Sequence, residues 1–161
     1  MTAKYWVDSC INIHRGLCGP PNSQQQAPFL PTRVLDIGSL STGIVKLLEV
    51  TQYQRGDYAA LSYSWGTVDD SYKTTTQNID DYKKKKIDIH VPVPATIADA
   101  MQIAQLVGIQ YLWVDAYCII QGDPEDFDRE GQKMLEYYGN SRLTITASAS
   151  SDAQQGTFHR R

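Results

Sequence analysis

The sequence predicts an α/β domain: a mainly parallel sheet with flanking helices, a helix ahead of it, and an antiparallel hairpin at one edge. Two observations carry this prediction. Three short apolar runs, Tyr58-Ala59-Ala60-Leu61-Ser62-Tyr63, Tyr111-Leu112-Trp113-Val114 and Arg142-Leu143-Thr144-Ile145-Thr146-Ala147, are separated by segments of helical character. The first run lacks clean alternation of apolar and polar residues, as expected of a strand buried on both faces. The order strand, helix, strand, helix, strand then calls for right-handed crossovers and parallel neighbours.

The elements follow in chain order. Thr2 to Leu17 reads as a helix ended by Gly19-Pro20-Pro21-Asn22, and the Gln-rich stretch from Ser23 to Pro28 is a polar connector. Arg33-Val34-Leu35-Asp36-Ile37 and Ile44 to Val50 read as two strands joined by a turn over Gly38 to Gly43, which makes an antiparallel hairpin. Thr67 to Lys86 is polar and irregular, and Ile87-Asp88-Ile89-His90-Val91 is a short alternating strand. A helix over Ala95 to Val107 carries Ile97, Ala100, Met101, Ala104 and Val107 near helical spacing, with Gly108 as its C-terminal stop. Asp123-Pro124-Glu125-Asp126 opens a last helix. Asp123 suits the cap, Pro124 the first turn, and the acids the positive end of the helix dipole. Phe127, Met134, Leu135 and Tyr138 supply its apolar side, and Gly139-Asn140 ends it. Residues 1–57 are expected to pack on a core of 58–156, with 157–161 as a loose tail, all in one structural domain.

Composition narrows the function classes. A chain of 161 residues, 42% apolar and 20% charged, is ordinary for a single soluble domain with a real core. A net charge of −3 lacks the basic excess of a nucleic-acid binder. No apolar run has membrane-spanning length, and Met1 to Cys10 holds no signal-peptide core. Three cysteines do not make a disulfide framework, so a cytoplasmic, reducing location is expected. The chain has no Gly-x-Gly-x-x-Gly, Walker A loop, Gly-x-Ser-x-Gly elbow or His-Glu-x-x-His. Dehydrogenase, nucleotide-kinase, elbow-hydrolase and zincin readings therefore lose their main support.

In open α/β sheets, sites form at the carboxyl ends of the strands. That rule selects Ser64-Trp65-Gly66, Asp115 to Gln121, and the segment after Thr146. Glu130 stands out next, early in the last helix and three residues after an aromatic. A carboxylate in such a place is suited to holding a cation, and the plain alternative is a solvated helix residue paired with Lys133. Cys118 has the chemistry of a nucleophile, but it needs a nearby base, and its bulky neighbours favour simple burial. Cys10, His14 and Cys18 share one helical face and are suitable zinc ligands, yet no fourth ligand is near in sequence, so the reading is of no metal. The run Lys83 to Lys86 is flanked by Asp80, Asp81 and Asp88 and reads as solvated.

Several of these segments together resemble one family. Tyr58-Ala59-Ala60-Leu61-Ser62-Tyr63-Ser64-Trp65-Gly66, Val93 to Ala100, Gly108 to Asp115, Cys118-Ile119-Ile120-Gln121, Glu130 to Tyr138 and Leu143 to Ala147 occur in the order found in the HET domain, the heterokaryon-incompatibility module of filamentous fungi. Arg33-Val34-Leu35-Asp36 resembles the lead-in common in these proteins. The resemblance covers roughly Tyr58 to Gly156. It implies a role in allorecognition and regulated cell death. HET proteins usually continue well past this length, so the chain reads either as an excised domain or as a short member. The position of Ser64 is often Cys or an apolar residue in the family, which argues against a catalytic serine there.

HET domains are in turn distantly similar to TIR domains, which implies a TIR/flavodoxin-like sheet. Leu61-Ser62-Tyr63 resembles the first strand of TIR, and Phe127-Asp128-Arg129-Glu130 resembles the helix that carries its catalytic acid. Some TIR domains hydrolyse NAD. By that resemblance Glu130 is the catalytic candidate, stabilising an oxocarbenium-like state, with NAD as substrate and no cofactor. Trp65, Gly66, Asp115, Gln121 and Asp123 are the candidate substrate-binding residues. Two other readings stay open: a non-catalytic module that signals through protein partners or self-association, and an enzyme of small-molecule metabolism.

Overall fold

The structure, a computed structural model, describes residues 3–13, 26–51, 53–66, 70–84, 87–88 and 93–158. The elements are α1 (Ala3–Asn12), β1 (Arg33–Asp36), β2 (Ile44–Glu49), β3 (Tyr58–Ser62), α2 (Ile79–Lys84), β4 (Ile87–Asp88), α3 (Ala95–Leu106), β5 (Tyr111–Trp113), α4 (Asp115–Cys118), α5 (Pro124–Gly131), α6 (Met134–Asn140) and β6 (Leu143–Thr146). Six strands form one sheet in the order β4-β2-β1-β5-β3-β6.

The sheet is mixed, which corrects the expectation of a mainly parallel one. β3 runs parallel to β5 and to β6, as the crossover argument requires. The pairings β1–β2, β1–β5 and β2–β4 are antiparallel. The β1–β2 hairpin forms as expected, in the register Arg33↔Glu49 to Asp36↔Lys46. It joins the parallel strands at their β5 edge, where β1 pairs antiparallel with β5 (Leu35↔Leu112). The burial pattern explains the placement. Val34 and Leu35 are both fully buried although they point to opposite faces, so β1 has no polar face to offer solvent. β2 alternates buried and solvated positions, and the two-residue β4 closes the sheet beyond it.

α3 buries Ile97, Ala100, Met101 and Ala104 and packs against β3 and β5. Its end is a Schellman motif. Gly108 takes φ 82°, its N–H donates to the Gln105 carbonyl at 3.0 Å, and Ile109 N–H donates to the Ala104 carbonyl at 2.9 Å. Leu61, Leu112, Trp113, Ile97 and Met101 belong to the buried core, and the Trp113 ring packs against Tyr137 and Tyr138.

Two further expectations change. The stretch expected to be wholly irregular contains α2. The single helix expected from Asp123 to Asn140 is two helices, broken at Gln132 and Lys133. Its apolar residues form the buried side only in part, with Met134 and Tyr138 packed against the core. Phe127 is 54% exposed and Leu135 86%, whereas Asp126 and Glu130 are each 1% exposed. α5 thus turns Asp126 and Glu130 inward, which is costly unless cations meet them.

Candidate functional site

The carboxyl ends of β3 and β5 carry two groups of polar side chains. The first forms around Asp115, which begins α4 immediately after Val114. The Trp65 indole N–H, just past β3, donates to Asp115 Oδ2 at 2.9 Å, and the Ala116 N–H donates to Oδ1 at 2.7 Å. The Lys73 ammonium lies 3.9 Å from the centre of the Trp65 ring. The buried Tyr63 hydroxyl faces the same carboxylate without a well-formed hydrogen bond. Burial pushes the pKa of Asp115 up. The Ala116 N–H, the Trp65 and Tyr63 donors and the Lys73 charge pull it back without cancelling the rise. Burial, and then the Asp115 charge, drive the Tyr63 phenol far above its ordinary value.

Gln121 belongs to this first group. Its side-chain amide donates to the Ile119 carbonyl at 3.0 Å and to that of Asp115 at 3.4 Å. Its N–H donates to the Thr74 carbonyl at 2.7 Å, which pins the segment carrying Lys73 onto the segment after α4. Gly66, at φ 68°, faces Asp152 so closely that an added β-carbon would lie 2.3 Å from the Asp152 β-carbon. Here glycine is required twice, for the backbone angle and for the approach. Asp123 caps α5, with Oδ1 accepting from the Glu125 and Asp126 N–H groups at 3.1 Å each.

The second group forms where the first residue of β1 meets α5. Arg33 is 3% exposed. Its Nε donates to the Cys118 carbonyl at 2.7 Å, and its terminal nitrogen donates to Asp126 Oδ2 at 2.5 Å. Asp126 also accepts from the Ile120 N–H at 2.8 Å and from Arg129. Burial alone would raise the pKa of Asp126, but Arg33, the Ile120 N–H and Arg129 hold it below the ordinary carboxylate value. Glu130 lies beside it. Tyr137 hydroxyl donates to Oε2 at 2.8 Å, while Oε1 faces Arg129 Nε at 3.5 Å and Lys133 Nζ at 3.6 Å. Thr32 closes the group, with Oγ1 at 3.0 Å from the Tyr137 hydroxyl and 3.2 Å from Lys133 Nζ. On a straight helix Glu130 and Tyr137 would stand about 10 Å apart along the axis; the break at Gln132–Lys133 re-aims α6 so that they meet.

Among the proposed binding residues, then, Trp65, Asp115 and Gln121 meet. Glu130 stands in the other group, and no direct hydrogen bond or ion pair joins it to Asp115. Cys118 is 1% exposed and follows Asp115 on α4. Burial, and to a lesser degree the charges of Asp115 and Glu130, pushes its thiol up to about 12, so it remains protonated at neutral pH. Arg33, Asp126, Lys73 and Tyr137 were not picked out as site residues in the sequence. One signal was present: an arginine in a strand of otherwise buried residues needs an internal acid. Among the described residues no three His, Cys, Asp or Glu side chains are placed to hold a metal. Cys10 lies on α1, and His14 and Cys18 fall outside the described residues. A cavity of about 390 Å³ lies on α3, between Leu40, Val93, Ala98, Met101, Gln102 and Gln105, and none of the candidate residues lines it.

A mixed α/β sheet with a rim of buried carboxylates is the class that fold and site define. The family model for heterokaryon incompatibility protein (HET) matches residues 58–161, and the chain belongs to that family. No curated protein and no solved structure matches it. The matched region begins at β3, so β1 and Arg33 lie outside it although both complete its interior. No helix among the described residues is long and apolar enough to cross a membrane.

Proposed function

We propose that this chain is an effector domain of fungal heterokaryon incompatibility that promotes regulated cell death by contact with other protein chains. In this reading the rim carboxylates brace loops. The observation that carries it is the setting of Glu130, which is 1% exposed, with Tyr137 on one oxygen and Arg129 and Lys133 facing the other. A carboxylate so enclosed by its own chain has the environment of a positioning group.

The second reading is TIR-like cleavage of NAD, and one feature favours it. Glu130 Oε1 is buried yet accepts no hydrogen bond, which leaves an acceptor for a ribose hydroxyl. Arg129 and Lys133 are 52% and 40% exposed, so both side chains have solvent to swing into. Water would then add to the ribose carbon as nicotinamide leaves neutral, its bonding electrons quenching the cationic ring, with the water proton lost to solvent. The deciding experiment incubates the concentrated chain with NAD and follows nicotinamide release by chromatography, with Glu130→Gln alongside. No release, even with the chain crowded or cross-linked, supports action by contact. Release that Glu130→Gln abolishes overturns it in favour of hydrolysis.

A further inference from the structure

The two edges of the sheet are built differently. β4 is two residues long, contains Asp88 and follows a run of four lysines, the usual means of discouraging strand pairing. β6 has none of these. From Leu143 to Ser151 there is no charge, no proline and no glycine, and the strand itself is Leu-Thr-Ile-Thr. β6 is the last strand of the sheet, and among the described residues nothing pairs with its outer side. The Arg142 N–H donates inward to the Tyr58 carbonyl at 2.8 Å. The Ala147 N–H donates inward to the Ser62 carbonyl at 2.9 Å, and with Ala59↔Leu143 and Leu61↔Ile145 in register this turns the backbone groups of Leu143 and Ile145 toward β3 and those of Thr144 outward.

We infer that the outer edge of β6 is a homotypic interface, which pairs antiparallel with β6 of a second copy about a two-fold axis through Thr144. This deepens, and rests on, the reading of the chain as a module that acts by protein contact. The register follows from parity. Thr144 offers the outward backbone groups at the middle of the strand, so Thr144 of one copy stands opposite Thr144 of the other and the pair exchanges both its N–H···O bonds. The same register sets Leu143 of one copy against Ile145 of the other, two apolar side chains in the closer, non-hydrogen-bonded position. Thr144 and Thr146 are exposed, so this face is open. The nearest charge, Arg142, is already paired with Asp57 at 3.1 Å. A second copy is favoured over a foreign segment because the strand complements itself, while its outward edge carries no charge to select a different partner.

The test uses the symmetry. Sedimentation of the whole chain over a concentration series should show a monomer–dimer equilibrium. Thr144→Lys and Thr144→Glu each place like charges directly across the axis and should each weaken the dimer at least about tenfold. Mixing the two variants should restore it as a pair with one of each, a rescue that loss of folding would not give. Thermal melts of the separate variants check that both fold. Wild-type chain that stays monomeric to several hundred micromolar overturns the inference, as does dimerisation that persists in both variants. Persistence would still leave action by contact standing through another surface, and nicotinamide release tests that broader reading separately.

Discussion

Asp115 and Asp126 lie on the same rim of the same sheet, one in a largely aromatic shell and the other between two arginines. Around Asp115 the partners are an indole, a phenol, a backbone N–H and one ammonium stacked over the indole. Burial wins there, and the acid binds its proton more readily than in water. Asp126 is only 1% exposed, and there Arg33, the Ile120 N–H and Arg129 reverse the result. The lesson is that depth alone does not set the charge of a buried acid; whether a guanidinium meets it does. The family's sequence pattern begins at β3, yet the guanidinium that decides the second case comes from β1.

The most severe way to break this contrast is to remove Arg33. Arg33→Met leaves Asp126 buried with only the half-exposed Arg129 and strips a donor from the Cys118 carbonyl. Urea unfolding should show a loss of about 3–5 kcal/mol; a loss below about 1 kcal/mol would mean that Arg129 alone suffices. Gly66→Ala strains the loop that aims Trp65 at Asp115 and forces Asp152 away. It should cost about 1–3 kcal/mol and weaken the near-ultraviolet signal of Trp65. Glu130→Gln keeps a partner for Tyr137 and frees two cations that can reach water, so its cost should be smaller than that of Arg33→Met, about 1–2 kcal/mol in the same assay.

The smallest effect sharpens the contrast most. Asp115→Asn should change stability by no more than about 1 kcal/mol at pH 7, because it removes a costly charge along with an acceptor. The pH profiles separate the two acids. For Asp126, whose pKa is lowered in the fold, the stabilisation is fully present above the ordinary value of 3.8 and is lost as pH falls through the lower, folded value. For Asp115, whose pKa is raised, ionisation costs the fold stability at neutral pH. That cost is relieved as pH falls from the raised value toward 3.8. Against wild type, Asp115→Asn should therefore lose ground on mild acidification and Asp126→Asn should gain it below pH 3.8, as read from paired urea titrations across pH.

Local pattern made much of this molecule legible. β3, β5 and β6 are where short apolar runs place them, α3 follows its helical spacing, and Asp123-Pro124 starts α5. What local pattern cannot carry is the partner across the sheet. Nothing near Arg33 in sequence names Asp126, and nothing near Leu35 names Leu112, so the strand that receives the hairpin is not written in the hairpin's own residues. The inward face of α5 was misread for a related reason. Phe127 is its hydrophobic residue, but Asp126 and Glu130 meet cations and Tyr137 inside, and that ionic match outweighs the apolar preference. Trp65, Asp115 and Gln121 were recoverable because they end strands or begin the segments after them, where position alone predicts a rim.

The interior place of β1 also bears on how the chain is made. During synthesis the hairpin leaves the ribosome first, but the strand that must lie against it, β5, follows roughly seventy residues later. At ordinary elongation rates that is a wait of about 4–15 s, long compared with hairpin formation. Through that interval Val34 and Leu35, with no polar side to turn outward, expose an apolar edge to the cell. Nascent chains paused between β4 and β5 should be the ones that chaperones hold.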